Sequence, residues 1–496
     1  MQRIKSRSKL TEGPIFVRLL LFVLPIVATG VLQVMYNMAD NIVVGKFSSD
    51  GEMALGAVGS TASLTTLIVN FMIGISSGAS VVVAQFYGAR AEKEVSRTVH
   101  TAMSVAVIGG LVFMTVGLVF AKPLLVLMDT KNHLLSKAVL YMTIICIGIP
   151  ATAIYNFGAS VLRSIGDSKT PLIILSLSGI INVLFNLFFV IVCGMSVEGV
   201  AIATIISQYI SALAVVLVLM SRKDRCYNLD LKKLRIEPRL LKRILRFGLP
   251  IAFQSSLFSI SNIIITSAVN NLDSLYANKY FGGESGEGIV VSAKTIAFNI
   301  EGITYTAMNG FSHAAITFVG QNYGAKKYRR INRIFIYALI QVLATGILVA
   351  QLEMLFTAQL ADLYIKQGST TRLEVIWVVK EIFAIMLNTY FLCGVMEVIS
   401  GVLKGLGFSV SSMVASLMGL AVRVGWIIFI HPSARFNLNN IFGLFLSYTI
   451  SWIVTIILLL VCCVYAWRKL GIWREAKKER LQEKIKLRSI HNENTY

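Results

Sequence analysis

The chain has 496 residues, of which 56% are hydrophobic and 14% charged, and its mean hydropathy is +0.73. A soluble domain carries about 25% charged residues, so this composition excludes an ordinary soluble fold and puts most of the chain in lipid. The net charge of +21 raises the question of nucleic acid, but the basic residues sit where membrane topology already calls for them, and no nucleic-acid role is read from them.

Apolar runs near the length of about 20 residues that crosses a bilayer recur along the chain. In order they cover residues 17–44, 60–84, 98–120, 136–160, 171–193 and 200–220, then 248–269, 292–319, 334–356, 375–402, 412–431 and 442–467. The predicted fold is therefore all-α and polytopic, with twelve transmembrane helices. The basic start and the long first apolar run, without a small-residue cleavage site, read as an uncleaved span rather than a signal peptide. Lysine and arginine concentrate at the two termini and in the even-numbered connections, densest over Arg222–Arg246 and Lys326–Arg333. The positive-inside rule then places both termini in the cytoplasm of a multi-pass protein of the inner, or plasma, membrane.

The second set of six repeats the first. Gln85-Phe86-Tyr87-Gly88-Ala89-Arg90 returns 236 positions later as Gln321-Asn322-Tyr323-Gly324-Ala325-Lys326. Leu24-Pro25 returns as Leu249-Pro250, offset 225, and Val161-Leu162-Arg163 as Val402-Leu403-Lys404, offset 241. An even number of spans per half makes the repeat parallel, and transporters commonly bind cargo at the seam of such a repeat. The predicted lobes are residues 1–220 and 248–467, with a cytoplasmic linker at 221–247 and a cytoplasmic basic tail at 468–496. The linker reads either as an amphipathic segment on anionic lipid headgroups or as a solvated loop. The connection 270–290, rich in glycine, is expected to be extracellular and mobile. Trp467 and Trp473 fit interfacial anchors. Cys146, Cys193, Cys226, Cys393, Cys462 and Cys463 show no metal-type spacing and imply no disulfide framework.

An ionisable side chain within a span costs roughly 2.5–3.5 kcal/mol on insertion scales, so each one needs a reason. At about 1.5 Å per residue, Asp40 lies roughly 9 Å below the outer end of the first helix, Asn186 roughly 12 Å below that of the fifth and Thr204 roughly 8 Å below that of the sixth. Asn182 precedes Asn186 by one turn on the same face. A carboxylate among amide and hydroxyl oxygens suits Na+ or H+ and not a soft metal; if the ion is Na+, Asp40, Asn182, Asn186 and Thr204 are its ligands. The alternative is a carboxylate hydrogen-bonded for packing alone. Pro25 removes a backbone hydrogen bond a few turns before Asp40, so ion binding can be linked to a bend there; a static kink is the other reading.

The second half offers Gln254, Glu301, Glu397 and Arg423, with His313 read as a packing residue. Glu397 and Arg423 lie at depths roughly 7 Å apart, which suits an ion pair as well as a substrate contact. Glu301 is a candidate partner for a cationic substrate, and Met35 a candidate for a soft apolar wall.

These residues resemble the MATE family, multidrug and toxic compound extrusion transporters, in its bacterial form. The resemblance spans nearly the whole chain. It rests on Leu24-Pro25 followed by Tyr36-Asn37-Met38-Ala39-Asp40-Asn41-Ile42-Val43-Val44-Gly45, and on the two Gln-x-Tyr-Gly-Ala turns. It rests also on Leu162-Arg163-Ser164-Ile165-Gly166-Asp167-Ser168-Lys169-Thr170-Pro171 and Val197-Glu198-Gly199-Val200-Ala201-Ile202-Ala203-Thr204. Arg423-Val424-Gly425-Trp426 and Tyr448-Thr449-Ile450-Ser451-Trp452 resemble a branch of bacterial members. The resemblance implies two six-helix lobes around a central cleft, and export of organic cations against Na+ or H+ by alternating access. It implies that Asp40 is the coupling carboxylate, with Asn182 and Thr204 at matching positions and Tyr36 and Asn37 in the same motif. Where many members have a second Asp in helix five, this chain has Asn186; where some carry acids in helices seven and ten, it has Gln254 and Cys393.

The expected function is thus a secondary antiporter of amphipathic organic cations, with no cofactor, working as a monomer in membrane lipid. The alternative is a flippase for a lipid-linked oligosaccharide or cell-envelope precursor, which needs several cavity arginines or lysines where the spans offer only Arg423. No enzyme is expected, and no G-x-x-x-x-G-K-[ST] segment for a nucleotide-driven pump occurs.

Overall fold

The structure is a computed structural model that describes residues 9–48, 51–128, 132–222, 225–281, 286, 288–365, 370–432 and 439–493. Among the described residues it is helical with no β-strand. Helices α1 (Ile15–Phe47), α2 (Gly51–Gly88), α3 (Glu92–Leu127), α4 (Asn132–Ser164), α5 (Lys169–Leu187) and α6 (Val197–Ser221) form the first set. The second set is α7 (Pro238–Tyr280), α8 (Ile289–Gly324), α9 (Tyr328–Leu355), a span made of α11 (Arg372–Met386) and α12 (Tyr390–Leu406), then α13 (Ser409–Gly425) and α14 (Ile441–Leu470). A short α10 (Thr357–Asp362) follows α9, and α15 (Ile472–Glu493) follows α14.

All twelve predicted spans are found as helices, with ends within a few residues to a few turns of the apolar runs that announced them. Ten, with α11 and α12 taken as one, are long and apolar enough by composition alone to cross a membrane. The other two, α7 and α8, are 43 and 36 residues long. Two expectations are corrected. The connection predicted at 270–290 is helical to Tyr280, and residues 282–285 and 287 lie outside the described residues. Trp467 is no interfacial anchor: it is 4% exposed, and its indole donates to Asn332 Oδ1 at 2.8 Å. Trp473, by contrast, is half exposed.

The duplicated sequences fold into duplicated backbone. Arg90 and Lys326 both have φ of 57°, and both turns close with the same pair of bonds. Ala91 N–H reaches Phe86 O and Arg90 N–H reaches Tyr87 O; Lys327 N–H reaches Asn322 O and Lys326 N–H reaches Tyr323 O, all between 2.9 and 3.1 Å. This is the 6→1 and 5→2 pattern that satisfies a helix's last carbonyls. Gly166 (φ 99°) and Gly407 (φ 92°) repeat it at the turns after α4 and α12, there with glycine at the left-handed position. One repeated feature left no mark in residue identity: α5 and α13 each end in a five-residue π-helical turn, Phe188–Val192 and Trp426–Ile430.

Contacts divide the chain into two compact units, Met1–Gly13 with Leu21–Ser259, and Pro14–Leu20 with Ile260–Tyr496. The division falls inside α7, and residues 238–247, read from the sequence as linker, are the first turns of that helix. In the first unit α7 lies against α2 along small residues. A Cβ at Gly74 would overlap Ala252 backbone, and one at Gly78 would overlap Gly248 backbone. Both helices thus present a small-x-x-x-small pair, which allows the close approach that drives helix association in lipid. Arg243, further along α7, donates to Gln85 Oε1 at 2.6 Å and lies over the Phe86 ring. Serines hold α4 to α2: Ser164 Oγ donates to Ser80 and Ser160 Oγ to Ser76.

Gly78→Ala is expected to destabilise the protein by about 1–3 kcal/mol, the usual cost of overpacking a tight contact. Gly109→Ala, where an added methyl meets nothing within 4 Å, should leave the thermal unfolding midpoint unchanged or slightly raised. Tryptophan fluorescence melts of the purified variants compare the two directly.

Candidate functional site

In the first unit, α1, α5 and α6 bring four of the predicted side chains together. Tyr36 and Asp40 are one turn apart on α1 and share a face. The Tyr36 ring occupies the space where Gly179 of α5 has no side chain, and its hydroxyl donates to Ser176 O at 3.2 Å. That contact sets α1 against α5; Asp40 follows Tyr36 by one turn on α1, and Asn182 and Asn186 follow Gly179 by about one and two turns on α5. Asn186 Nδ2 donates to Asp40 Oδ1 at 2.5 Å and to Asn182 Oδ1 at 3.3 Å. Asn182 Nδ2 donates to Thr204 Oγ1 at 3.4 Å.

Thr204 Oγ1 lies 3.5 Å from Asp40 Oδ2 but only 2.9 Å from Val200 O, so its single proton goes to the carbonyl. One of its lone pairs accepts from Asn182 Nδ2. Asn186 is fully buried, and its Oδ1 has no hydrogen-bond partner. A carboxylate, two amides and a hydroxyl, one amide oxygen unspent, make a donor set for a small hard cation. The same set can accept a hydrogen bond from a protonated Asp40. Asn37 is exposed and makes no bond to this group, and Met35 is 57% exposed. Pro25 lies inside the continuous helix α1, and its carbonyl accepts from Thr29 Oγ1 at 2.7 Å.

Gln254 is also in the first unit, buried on α7. The second unit holds Glu301, Glu397 and Arg423. The expected Glu397–Arg423 ion pair is not formed: among the described residues Arg423 pairs with no carboxylate within 4 Å, and it donates instead to Ser451 Oγ from Nε at 3.0 Å and Nη2 at 2.8 Å. Its guanidinium stacks on the Tyr448 ring, 4.0 Å from the centroid. The helical azimuths of α12 and α13, which depth along the axis does not reveal, turn the two charges apart. Glu397 is buried on α12, where Lys404 lies within electrostatic range. Glu301 accepts a hydrogen bond from the hydroxyl of Tyr390.

Sequence reasoning missed Glu353 and Tyr390. Glu353 lies within the ninth predicted span, so the rule that singled out Asp40 and Glu301 applied to it equally. It is 5% exposed on α9, and neither carboxylate oxygen has a hydrogen-bond partner. Tyr390 carried no signal, since a tyrosine in an apolar run is unremarkable until its hydroxyl is found on a buried acid.

The sequence matches the MatE family profile over residues 25–188 and 250–427. Among curated proteins it is similar to the probable multidrug resistance protein YoeA of Bacillus subtilis, 26% identical over 92% of this chain and 94% of that one. It is also similar to the probable multidrug resistance protein NorM of Thermotoga maritima, 24% identical over 80% of this chain and 81% of that one. Among solved structures, an outward-facing multidrug resistance MATE family transporter of the MOP superfamily superposes with a TM-score of 0.82. That likeness covers 96% of this chain and 100% of the other at 21% identity.

Removing the amide that meets Asp40 should cost stability. Asn186→Leu is expected to destabilise the fold by about 1.5–3 kcal/mol, the range for a hydrogen bond to a charged group. Asn37→Leu, at an exposed position, should stay within about 0.5 kcal/mol of the parent. Thermal melts in detergent give both values.

Proposed function

The chain belongs to the MatE family of membrane transporters, and from that membership we propose that it is a secondary antiporter that exports organic compounds, amphipathic and cationic, in exchange for Na+ or H+ entering at Asp40. Transport of small organic molecules, rather than catalysis, is what its multidrug resistance relatives support. The observation that carries the coupling reading is the meeting of Asp40, Asn186, Asn182 and Thr204 from three helices around one carboxylate.

Two exchange chemistries fit this group. A proton on Asp40 makes the carboxyl a donor, and the Asn186 amide, once turned to present its unpartnered oxygen, accepts from it. A sodium ion needs oxygens on every side, which the set supplies once the Asn186 amide turns its oxygen inward. In either case the cation neutralises a charge that the membrane interior disfavours, so the loaded and unloaded states differ in electrostatic energy. A second ligand can shift an equilibrium only through such a difference.

Pro25 supplies the flexible point. Tyr36 and Asp40 tie the outer part of α1 to α5, whereas at Pro25 the helix lacks one backbone hydrogen bond. Loading of Asp40 loosens or tightens the outer segment, and the helix bends below it. Cargo leaves as the cation enters, with both termini in the cytoplasm of the plasma membrane as the basic connections require. Gln254, Glu301, Glu397, Arg423 and Met35 remain the candidate substrate contacts. Met35 is 57% exposed.

Asp40→Asn should abolish gradient-driven dye efflux from cells while the protein still reaches the membrane at parental level. Efflux at the parental rate in that variant sinks the coupling role. In liposomes, an imposed pH gradient and an imposed Na+ gradient, each alone, identify the ion. Cargo movement indifferent to both sinks antiport itself.

A further inference from the structure

The helix that follows the last span carries a charge pattern that neither the Asp40 group nor cargo binding uses. α14 ends at Leu470, Gly471 turns the chain in the left-handed region (φ 62°), and α15 begins at once with Ile472, which is fully buried. The last turn of α14 is level with the first turns of α9. There the Trp467 indole donates to Asn332 Oδ1 at 2.8 Å, and its ring lies 5.8 Å from that of Phe335. α15 therefore starts at the level where two membrane-spanning helices end.

A single acid fixes where it goes next. Glu479 accepts from Tyr328 N–H at 3.0 Å and from Arg329 N–H at 3.1 Å, one with each carboxylate oxygen. It thereby caps the N-terminus of α9, where free N–H groups and the helix dipole favour negative charge. From Ile472 to Glu479 the helix covers roughly 10 Å, about the distance between the axes of packed helices. α15 thus runs across the end of α9 and not away from it, which lays it along the headgroup plane.

The two faces of α15 differ. Ile472, Glu475, Ala476 and Glu479 lie toward the protein, buried or half-buried. Trp473, Lys477, Arg480 and Leu481, spaced i, i+4, i+7 and i+8, form one exposed stripe, with Trp473 51% and Leu481 60% exposed. Arg474 and Lys478 flank it and reach back to Glu475 at 3.6 and 3.1 Å. Among the described residues, Lys477 and Arg480 form no ion pair. The acids are turned inward and the cations outward, beside an indole and a leucine that water disfavours. On a helix at the bilayer boundary, such a face suits anionic lipid: the apolar groups enter the acyl boundary, and the ammonium and guanidinium groups meet phosphates.

We propose that the outer face of α15, formed by Trp473, Lys477, Arg480 and Leu481, is a docking surface for the anionic phospholipid headgroups of the bilayer that the chain spans. Glu479 seats the helix on α9 so that this face meets the lipid.

The test needs neither transport nor sidedness, so it stands or falls apart from the antiport reading. Full-length protein is placed in nanodiscs of phosphatidylcholine, alone or mixed with phosphatidylglycerol, and amide hydrogen exchange of residues 473–482 is followed by mass spectrometry. Exchange is expected to slow about fivefold with the anionic lipid, the effect of one basic side chain at such a surface, and the difference should vanish at high salt. Lys477→Gln with Arg480→Gln should abolish the difference, and Trp473→Ala should speed exchange in both lipids. Glu479→Gln should speed exchange equally in both while their ratio persists, which separates seating on α9 from lipid contact. Size-exclusion profiles verify that each variant is folded. Equal exchange in the two lipids, or a ratio that survives the double glutamine substitution, overturns the proposal. So does an RNA oligonucleotide that protects α15 in neutral nanodiscs as strongly as the anionic lipid does.

Discussion

A carboxylate placed in hydrocarbon has to be met by protein donors, and in the first unit the Asn186 amide meets Asp40 at 2.5 Å. Much of the local architecture serves that contact. Gly179 makes room for the Tyr36 ring, the Tyr36 hydroxyl holds the Ser176 carbonyl, and α1 is thereby set in register so that Asp40 arrives level with Asn186 one turn later. Thr204 of α6 stands at the same level, its hydroxyl donating to Val200 O and accepting from the Asn182 amide. The result is a charge held by neutral dipoles rather than by a counter-ion. Such a charge can be titrated or loaded without breaking an ion pair.

The second unit solves the same problem differently. Its charges are more numerous, drawn from α8, α9, α12 and α13, and the expected Glu397–Arg423 pair is not formed. Arg423 is satisfied by a serine hydroxyl and an aromatic face, and Glu301 by a tyrosine. Glu353 is left with neither. Duplication has therefore preserved backbone more strictly than chemistry. The left-handed turns at Arg90 and Lys326 are alike to the degree, and the π-helical ends of α5 and α13 correspond, while the polar groups inside the two halves share no plan. Backbone turns in a membrane are constrained by the need to satisfy every carbonyl, whereas interior side chains are free to diverge once a lobe can pack.

Small residues impose the other constraint. Water-driven burial does little between helices in lipid, so α7 is held to α2 by close approach at Gly74 and Gly78, and α4 by paired serines. These contacts draw the first turns of α7 into the first unit, although the helix continues without interruption to Tyr280 in the second. One continuous helix thus belongs to both units.

The sequence by itself determined the twelve helices, the parallel repeat and the level at which Asp40, Asn182, Asn186 and Thr204 meet. Apolar run length, matched turns and distance along a helix are one-dimensional quantities, readable by counting residues. Only the tertiary structure decided which way side chains at the same level point. It turned Arg423 from Glu397 to Ser451, buried Trp467, left Asn37 outside the Asp40 group and brought Tyr390 onto Glu301. Azimuth depends on how each helix is rotated against its neighbours, and that rotation is set by packing at glycines and serines far along the chain from the charges it orients.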